Sequence, residues 1–135
     1  YLHLPLSYNQ VSDAFKLAMY AIDEKVVRVL SRLNRKRLAF LTDTNVWQEE
    51  ILSQLIDLKQ FSDKIFKSHE IHMVKTDESC FPYVIGQLGA DPKDLLLIDD
   101  SGEKIQMATR YGLQTLQFTN SEHLHDHLKN NGWLT

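Results

Sequence analysis

Residues 95–102 constrain the fold of this chain more than any other segment. Four consecutive apolar residues, 95–98, run directly into the adjacent carboxylates Asp99 and Asp100, and Ser101 follows. A short apolar run of this kind predicts a buried strand of a parallel sheet. In open α/β sheets, ligands bind at the carboxyl ends of the strands. The two acids therefore stand where a divalent cation or a phosphate ester would bind.

Strand and helix patterns alternate along the rest of the chain. After residue 37 the sequence predicts strands at residues 38–41, 65–66, 95–99 and 113–118, each followed by a helical pattern. Such alternation is typical of a parallel sheet with right-handed crossovers. We therefore predict an α/β fold, a Rossmann-like three-layer α/β/α architecture with a mainly parallel sheet.

Two helices are predicted before the first of these strands. Residues 7–20 carry apolar side chains at helical spacing, and Ser7 with Gln10 forms a capping box at their start. The second helix begins after Asp23. The basic run 35–37 is expected to mark the C-terminal end of this helix, since positive charge is favourable there.

Capping residues also mark the later helices. Asn45 and Gln48 form a second capping box, and the apolar pattern after them runs to about Lys59. Ser101 is expected to cap a helix that Gly112 closes.

Length, charge and cysteine content limit the class of protein. The 135 residues fit one domain, and a net charge of -3 gives no reason to expect nucleic acid or an acidic membrane as a partner. No apolar run approaches the roughly 18 to 20 residues that span a bilayer. The first residues also lack the pattern of a signal peptide. The single cysteine, Cys80, fits a reducing compartment, so we expect a cytoplasmic protein.

Polar side chains follow three of the predicted strands. Thr42 and Asp43 follow the first, Lys75 lies in the loop after the second, and Asp99 and Asp100 follow the third. A hydroxyl can donate to a phosphoryl oxygen, an ammonium can neutralise its charge, and carboxylates can hold Mg²⁺. Together these are the groups that a phosphoryl-transfer site needs.

In this order the segments resemble the motifs of the haloacid dehalogenase (HAD)-like hydrolase superfamily, in the subgroup with a small helical cap. Residues 41–45 are similar to the family's second motif, residues 68–77 to its third, and residues 97–101 to its fourth. The likeness covers roughly residues 22–128. Residues 7–20 resemble the last helix of the cap.

The resemblance implies a Mg²⁺-dependent phosphatase that acts on a small phosphorylated metabolite through a phosphorylated aspartate. Thr42, Asp43 and Lys75 would bind the phosphoryl group, and Thr42 and Lys75 would take part in catalysis. Lys75 would orient the nucleophile and stabilise the developing charge. Asp99 and Asp100 would hold the metal directly or through water. Asp43 stands where the family commonly has Asn.

The family's first motif, an Asp-x-Asp that supplies the nucleophile and the general acid/base, does not occur in these 135 residues. In the family's sheet its strand lies between those that end at Thr42 and Asp99, so its absence would leave two facing edges or force them to pair. We therefore expect residues 1–20 to be a remnant of the helical cap and residues 21–135 to be a core without its first strand. Such a truncated chain would be inactive by itself.

Other interpretations remain open. A non-catalytic domain of the same fold could act as a binding or assembly module, with a homodimer partner or a missing N-terminal segment completing the sheet. A response-regulator-like receiver domain also uses paired acids, a Thr and a Lys, but places the acids near its start. His123 and His127, four apart on a predicted helix, also permit a metal site.

Overall fold

The computed structural model describes residues 22–134, in which parallel strands alternate with helices. The prediction of an α/β, Rossmann-like fold is confirmed. The helix predicted at residues 7–20 and the cap remnant predicted at residues 1–20 lie outside the described residues. No described helix is long and apolar enough to cross a membrane.

The first described helix, α1, spans Glu24–Ser31 and is capped as predicted by Asp23, whose carboxylate accepts from the amide of Lys25 at 2.8 Å. The basic run forms a separate 3₁₀ turn, Arg35–Arg37, because the Asn34 side chain caps that turn in its own right. The sequence had indicated that this run ends the helix, and that prediction is wrong. The run is an exposed turn between α1 and the first strand.

The first ladder pairs β1, Phe40–Thr42, in parallel with β2, Ile65–Lys67. Helix α2 connects them and spans Val46–Leu55, so it ends four residues before the predicted Lys59. A 3₁₀ turn, Leu58–Gln60, follows it. The Asp57 side chain caps that turn, and this local hydrogen bond competes with continuation of the helix.

The capping box at the start of α2 is confirmed. The Asn45 side chain accepts from the Gln48 amide at 2.9 Å, and the Gln48 side chain accepts from the Asn45 amide at 3.2 Å. We expect Asn45→Ala to lower the free energy of unfolding by about 1 kcal/mol, because the first turn of α2 loses this partner. Asn45→Asp keeps the acceptor and serves as the control. Equal urea midpoints for Asn45→Ala and the wild-type chain would contradict the assignment.

Two helices lie between β2 and the next strand. The short α3, Ser68–Ile71, had no periodic signal in the sequence, because four residues make about one turn. Helix α4 spans Cys80–Leu88, and Gly89 ends it with a φ of 61°. That left-handed conformation favours glycine at a helix C-terminus.

The second ladder contains the segment with the paired acids. Strand β3, Leu96–Asp99, pairs in parallel with β4, Gln114–Gln117. Between them lies α5, Gly102–Arg110, and α6, Ser121–Asn130, follows β4. Helices α1 and α6 pack together over a core made by four side chains: Val29, Leu116, Leu124 and Leu128.

The two ladders do not pair with each other within residues 22–134. A parallel strand forms hydrogen bonds with its neighbour through alternate residues. The Phe40 amide donates to the carbonyl of Lys64, the residue before β2, at 2.9 Å. The backbone of Leu41 therefore points away from β2. The Gln114 amide donates to the Leu95 carbonyl at 2.9 Å, so by the same alternation the backbones of Leu96 and Ile98 point away from β4. In the described part of the chain these edges are open.

Candidate functional site

Side chains from both ladders meet at the carboxyl ends of β1 and β3. The Asp43 carboxylate follows β1; its Oδ1 accepts from the Lys75 amide at 3.1 Å, and its Oδ2 lies 2.8 Å from Lys104 Nζ. Lys75 Nζ in turn lies 2.5 Å from Asp99 Oδ2 at the end of β3. We call Asp43, Lys75, Asp99 and Lys104 the carboxylate–lysine cluster. It links the two ladders through side chains where their backbones do not pair.

The buried part of the cluster is the ion pair between Lys75 and Asp99. Lys75 is 8% exposed and Asp99 is 7% exposed. Burial raises the pKa of Asp99, but the hydrogen bonds from Lys75 and from the Ser101 amide, with the charges of Lys75 and Lys104, outweigh it and hold that pKa below its ordinary value. Asp99 is therefore a carboxylate at neutral pH.

Ser101 does not act as the sequence predicted. It occupies the N-cap position of α5, but its side chain makes no capping hydrogen bond. Instead its amide donates to Asp99 Oδ1 at 2.9 Å. Both oxygens of Asp99 therefore accept hydrogen bonds, one from Ser101 and one from Lys75, and this fixes the carboxylate at the start of α5.

Asp100 is the exposed member of the acidic pair. Its backbone oxygen accepts from Gln117 Nε2 at 3.0 Å, which ties the end of β3 to β4. Its carboxylate has no hydrogen-bonded side-chain partner among residues 22–134. A free carboxylate beside a second one fits Mg²⁺, which binds proteins through one or two carboxylates and keeps several waters. The donor set is thus suitable for this cation, with Asp100 the more accessible ligand.

Thr42 lies at the end of β1, as predicted, but its hydroxyl is engaged elsewhere. Its Oγ1 donates to the Phe66 carbonyl at 3.4 Å and lies 3.5 Å from Thr44 Oγ1. The next loop is fixed by Ser68, whose hydroxyl donates to the Thr44 carbonyl at 2.8 Å and accepts from its amide at 2.9 Å. Of the residues predicted for the site, the structure brings Asp43, Lys75 and Asp99 into contact. Thr42 stands beside them with partners in its own ladder.

Sequence reasoning missed Lys104, which lies in the first turn of α5. A cation is unfavourable near the positive end of a helix dipole, so a lysine there signals a nearby carboxylate. Burial lowers the pKa of Lys104, but its hydrogen bond to Asp43 and the charges of Asp43, Asp99 and Asp100 raise it above the ordinary value. Lys104 is therefore charged at neutral pH.

A second charged network, also missed, lies at the end of β2. Lys67 contacts the carboxylates of Glu49 and Glu70, and His69 Nε2 lies 2.8 Å from Glu49 Oε2. The hydrogen bond from Lys67 lowers the pKa of Glu49, and the same bond raises the pKa of Lys67. Ligand atoms of Glu49, His69 and Glu70 lie within 4.8 Å of one another. The Lys67 ammonium already pairs with both carboxylates, so this network is an ion-pair cluster.

A cleft of about 520 Å³ opens beside this network, between α2 and the first ladder. Thr42, Thr44, Glu49 and Lys67 line its polar part. His123 and His127 belong to no metal-ligating group in the part of the chain that the structure describes.

Comparison with known proteins identifies the family. The sequence model of the haloacid dehalogenase-like hydrolases matches residues 6–112. The chain belongs to this family. The HAD-like assignment made from the three motifs is therefore confirmed, since those motifs lie within the matched residues.

Relatives of this HAD-like chain include much longer proteins. Bifunctional epoxide hydrolase 2 of Rattus norvegicus is 26% identical over 121 residues, which are 84% of this chain and 22% of that protein. The Mus musculus protein of the same name is 23% identical over 127 residues, or 88% of this chain and 23% of that protein. The chain thus spans less than a quarter of the length of these curated relatives.

Solved structures share the fold. A HAD-like family hydrolase from Porphyromonas gingivalis superimposes with a TM-score of 0.81 at 26% identity, over 96% of this chain and 67% of that one. A HAD family enzyme from Bacteroides thetaiotaomicron, in complex with magnesium and inorganic phosphate, gives a TM-score of 0.79 at 23% identity, over 90% of this chain and 66% of that one. Both likenesses support the α/β fold described above.

Proposed function

We propose that this chain supplies the phosphate-binding and metal-binding half of a Mg²⁺-dependent phosphatase site for a small phosphorylated metabolite. The observation that carries the proposal is the buried Lys75–Asp99 ion pair with the accessible Asp100 beside it. The Bacteroides thetaiotaomicron relative, which was solved with magnesium and phosphate, supports the same chemistry. A cytoplasmic location stays a prediction from the sequence.

Each side chain has a distinct role in this proposal. Lys75 uses one of its three N–H donors on Asp99, so two are left for a phosphoryl oxygen. The Thr42 hydroxyl at the end of β1 donates to the Phe66 carbonyl in this structure, so its single O–H would have to turn to the phosphoryl oxygen when phosphate binds. Asp99 and Asp100 would hold Mg²⁺ directly or through water, with Asp100 the more accessible of the two. The metal supplies charge neutralisation at the phosphoryl group.

The nucleophile has no candidate in the sequence, because Asp-x-Asp is absent from the 135 residues. We therefore propose that the chain binds phosphate without hydrolysing its esters. The completing element is an extended segment that pairs with the open backbones of Leu41 on one side and Leu96 and Ile98 on the other. Such a strand would remove both open edges at once.

A hydrolysis assay tests this division of roles. Incubated with an aryl phosphate and Mg²⁺, the chain is expected to show no turnover above that of Asp100→Ala, because its sequence contains no Asp-x-Asp motif to supply the nucleophile. The matched measurement is binding of inorganic phosphate, which the wild-type chain should retain. Clear turnover that Asp100→Ala abolishes would contradict the inactive-chain proposal.

A second candidate is an assembly module, favoured by the same open edges. In that case a second copy of the chain would supply the completing strand, and sedimentation would show dimers that increase with concentration. A monomer at all concentrations that binds Mg²⁺ and phosphate would support the half-site and exclude the module.

A further inference from the structure

The Asp43–Lys104 ion pair is a part of the site that the roles above leave unexplained. Asp43 Oδ2 lies 2.8 Å from Lys104 Nζ, with the two side chains 17% and 26% exposed. Asp43 also accepts from the Lys75 amide through its other oxygen. The pair thus connects the loop after β1, the loop that carries Lys75, and the first turn of α5.

Asp43 poses an electrostatic problem for a phosphate site. Its carboxylate directly follows Thr42, and Asp99 and Asp100 add two more negative charges at the same rim. Like charges a few ångströms apart repel each other and would also repel a phosphate anion. Lys75 is already paired with Asp99. With Lys75 and a bound Mg²⁺ the charges of the three carboxylates would only be balanced, so a further cation at the rim favours the binding of an anion.

Lys104 lies where it can supply this further positive charge. Its ammonium contacts Asp43, and its charge also acts on Asp99. One of its three N–H donors is directed to Asp43, which leaves two for other acceptors. The helix dipole disfavours a lysine in the first turn of α5. Its partner Asp43, not the helix, accounts for its place.

We propose that Lys104 is a positioning residue of this site, which neutralises Asp43 and holds the loop after β1 so that a phosphate anion can bind beside Thr42. The inference rests on the proposed function, because it concerns the same phosphate-binding rim. In this proposal the charges of Asp43 and Lys104 compensate each other, so loss of the lysine alone harms binding more than loss of both charges.

A double-mutant cycle tests the pair, with calorimetric titration of inorganic phosphate into the full chain in the presence of Mg²⁺. Lys104→Gln is expected to weaken phosphate binding about tenfold or more, since Asp43 is left uncompensated. Lys104→Arg should bind within about threefold of wild type, and the double variant Asp43→Asn, Lys104→Gln should bind more tightly than Lys104→Gln alone. The matched control is Lys93→Gln, which removes an exposed lysine paired with Asp91 at the other end of β3.

The outcomes are distinguishable. Wild-type binding with Lys104→Gln, or binding by the double variant as weak as by Lys104→Gln, overturns the role of Lys104 and leaves the proposed function standing. A folded wild-type chain that binds no phosphate overturns both. Asp43→Asn alone gives a check that does not need a Lys104 variant to fold: it should weaken phosphate binding by less than about tenfold, and a larger loss would contradict the proposal.

Discussion

Lys75→Met is expected to lower the free energy of unfolding by about 3 kcal/mol at pH 7. The substitution leaves Asp99, which is 7% exposed, as a buried carboxylate without its ammonium partner. Removing one member of a buried ion pair is far more destabilising than the pair itself is stabilising. Urea denaturation of both chains measures the difference. A change below about 0.5 kcal/mol, the usual range of a surface substitution, would contradict the assignment of a buried pair.

The control for this prediction is the double variant Lys75→Met, Asp99→Asn. It removes the unpaired buried charge as well as its partner, so it should recover part of the lost stability.

The Lys75–Asp99 pair also predicts that the stability of the chain depends on pH. The pKa of Asp99 is lowered on folding, so its contribution is present above the unfolded pKa of about 3.9 and is lost as pH falls through the folded value. Asp99→Asn should lack this acid-dependent part of the stability.

Asp100→Asn is expected to weaken Mg²⁺ binding about tenfold or more while changing the free energy of unfolding by less than about 0.5 kcal/mol. The carboxylate is exposed and has no hydrogen-bonded side-chain partner in residues 22–134, so the fold does not depend on it. Isothermal titration of Mg²⁺ measures the first effect, and urea denaturation the second.

The matched control for Asp100 is Asp94→Asn. Asp94 is also exposed and lies just before β3, at the opposite end from the site. The variant makes the same change in net charge. Equal Mg²⁺ affinities for Asp100→Asn and Asp94→Asn would show that Asp100 is not a ligand.

The fold was predictable where one segment carried its own signal. The apolar run before Asp99 and the Asn45 capping box depend on neighbours within a few residues, and both are present in the structure. The end of α2 was wrong by four residues because the side chain of Asp57 starts a competing turn. The short α3 was missed because one helical turn leaves no periodicity.

The site was less predictable, because its contacts join distant parts of the chain. Thr42, Asp43, Lys75 and the acidic pair were assigned by their order along the sequence. That Asp43 faces Lys104, or that Glu49 faces His69, follows only from the packing of α5 and α2 on the strands. No local pattern encodes such pairs. Only the placement of a lysine at the positive end of a helix hinted at Lys104.

The connection between the two ladders also depends on contacts between distant parts of the chain. Within residues 22–134 the carboxyl ends of β1 and β3 are joined through the carboxylate–lysine cluster and not through a shared backbone ladder. The proposed half-site would bind the ligands of a phosphatase without the group that attacks the phosphorus. We therefore expect phosphate binding and turnover to be separable in this chain.

The most direct test of the half-site is calorimetric titration of inorganic phosphate into the chain, once with Mg²⁺ and once with EDTA. The account predicts saturable binding with Mg²⁺, at least about tenfold weaker binding with EDTA, and the same weakening in Asp100→Asn with Mg²⁺ present. A folded chain that binds no phosphate with Mg²⁺, or that binds it equally well with EDTA, would contradict the account.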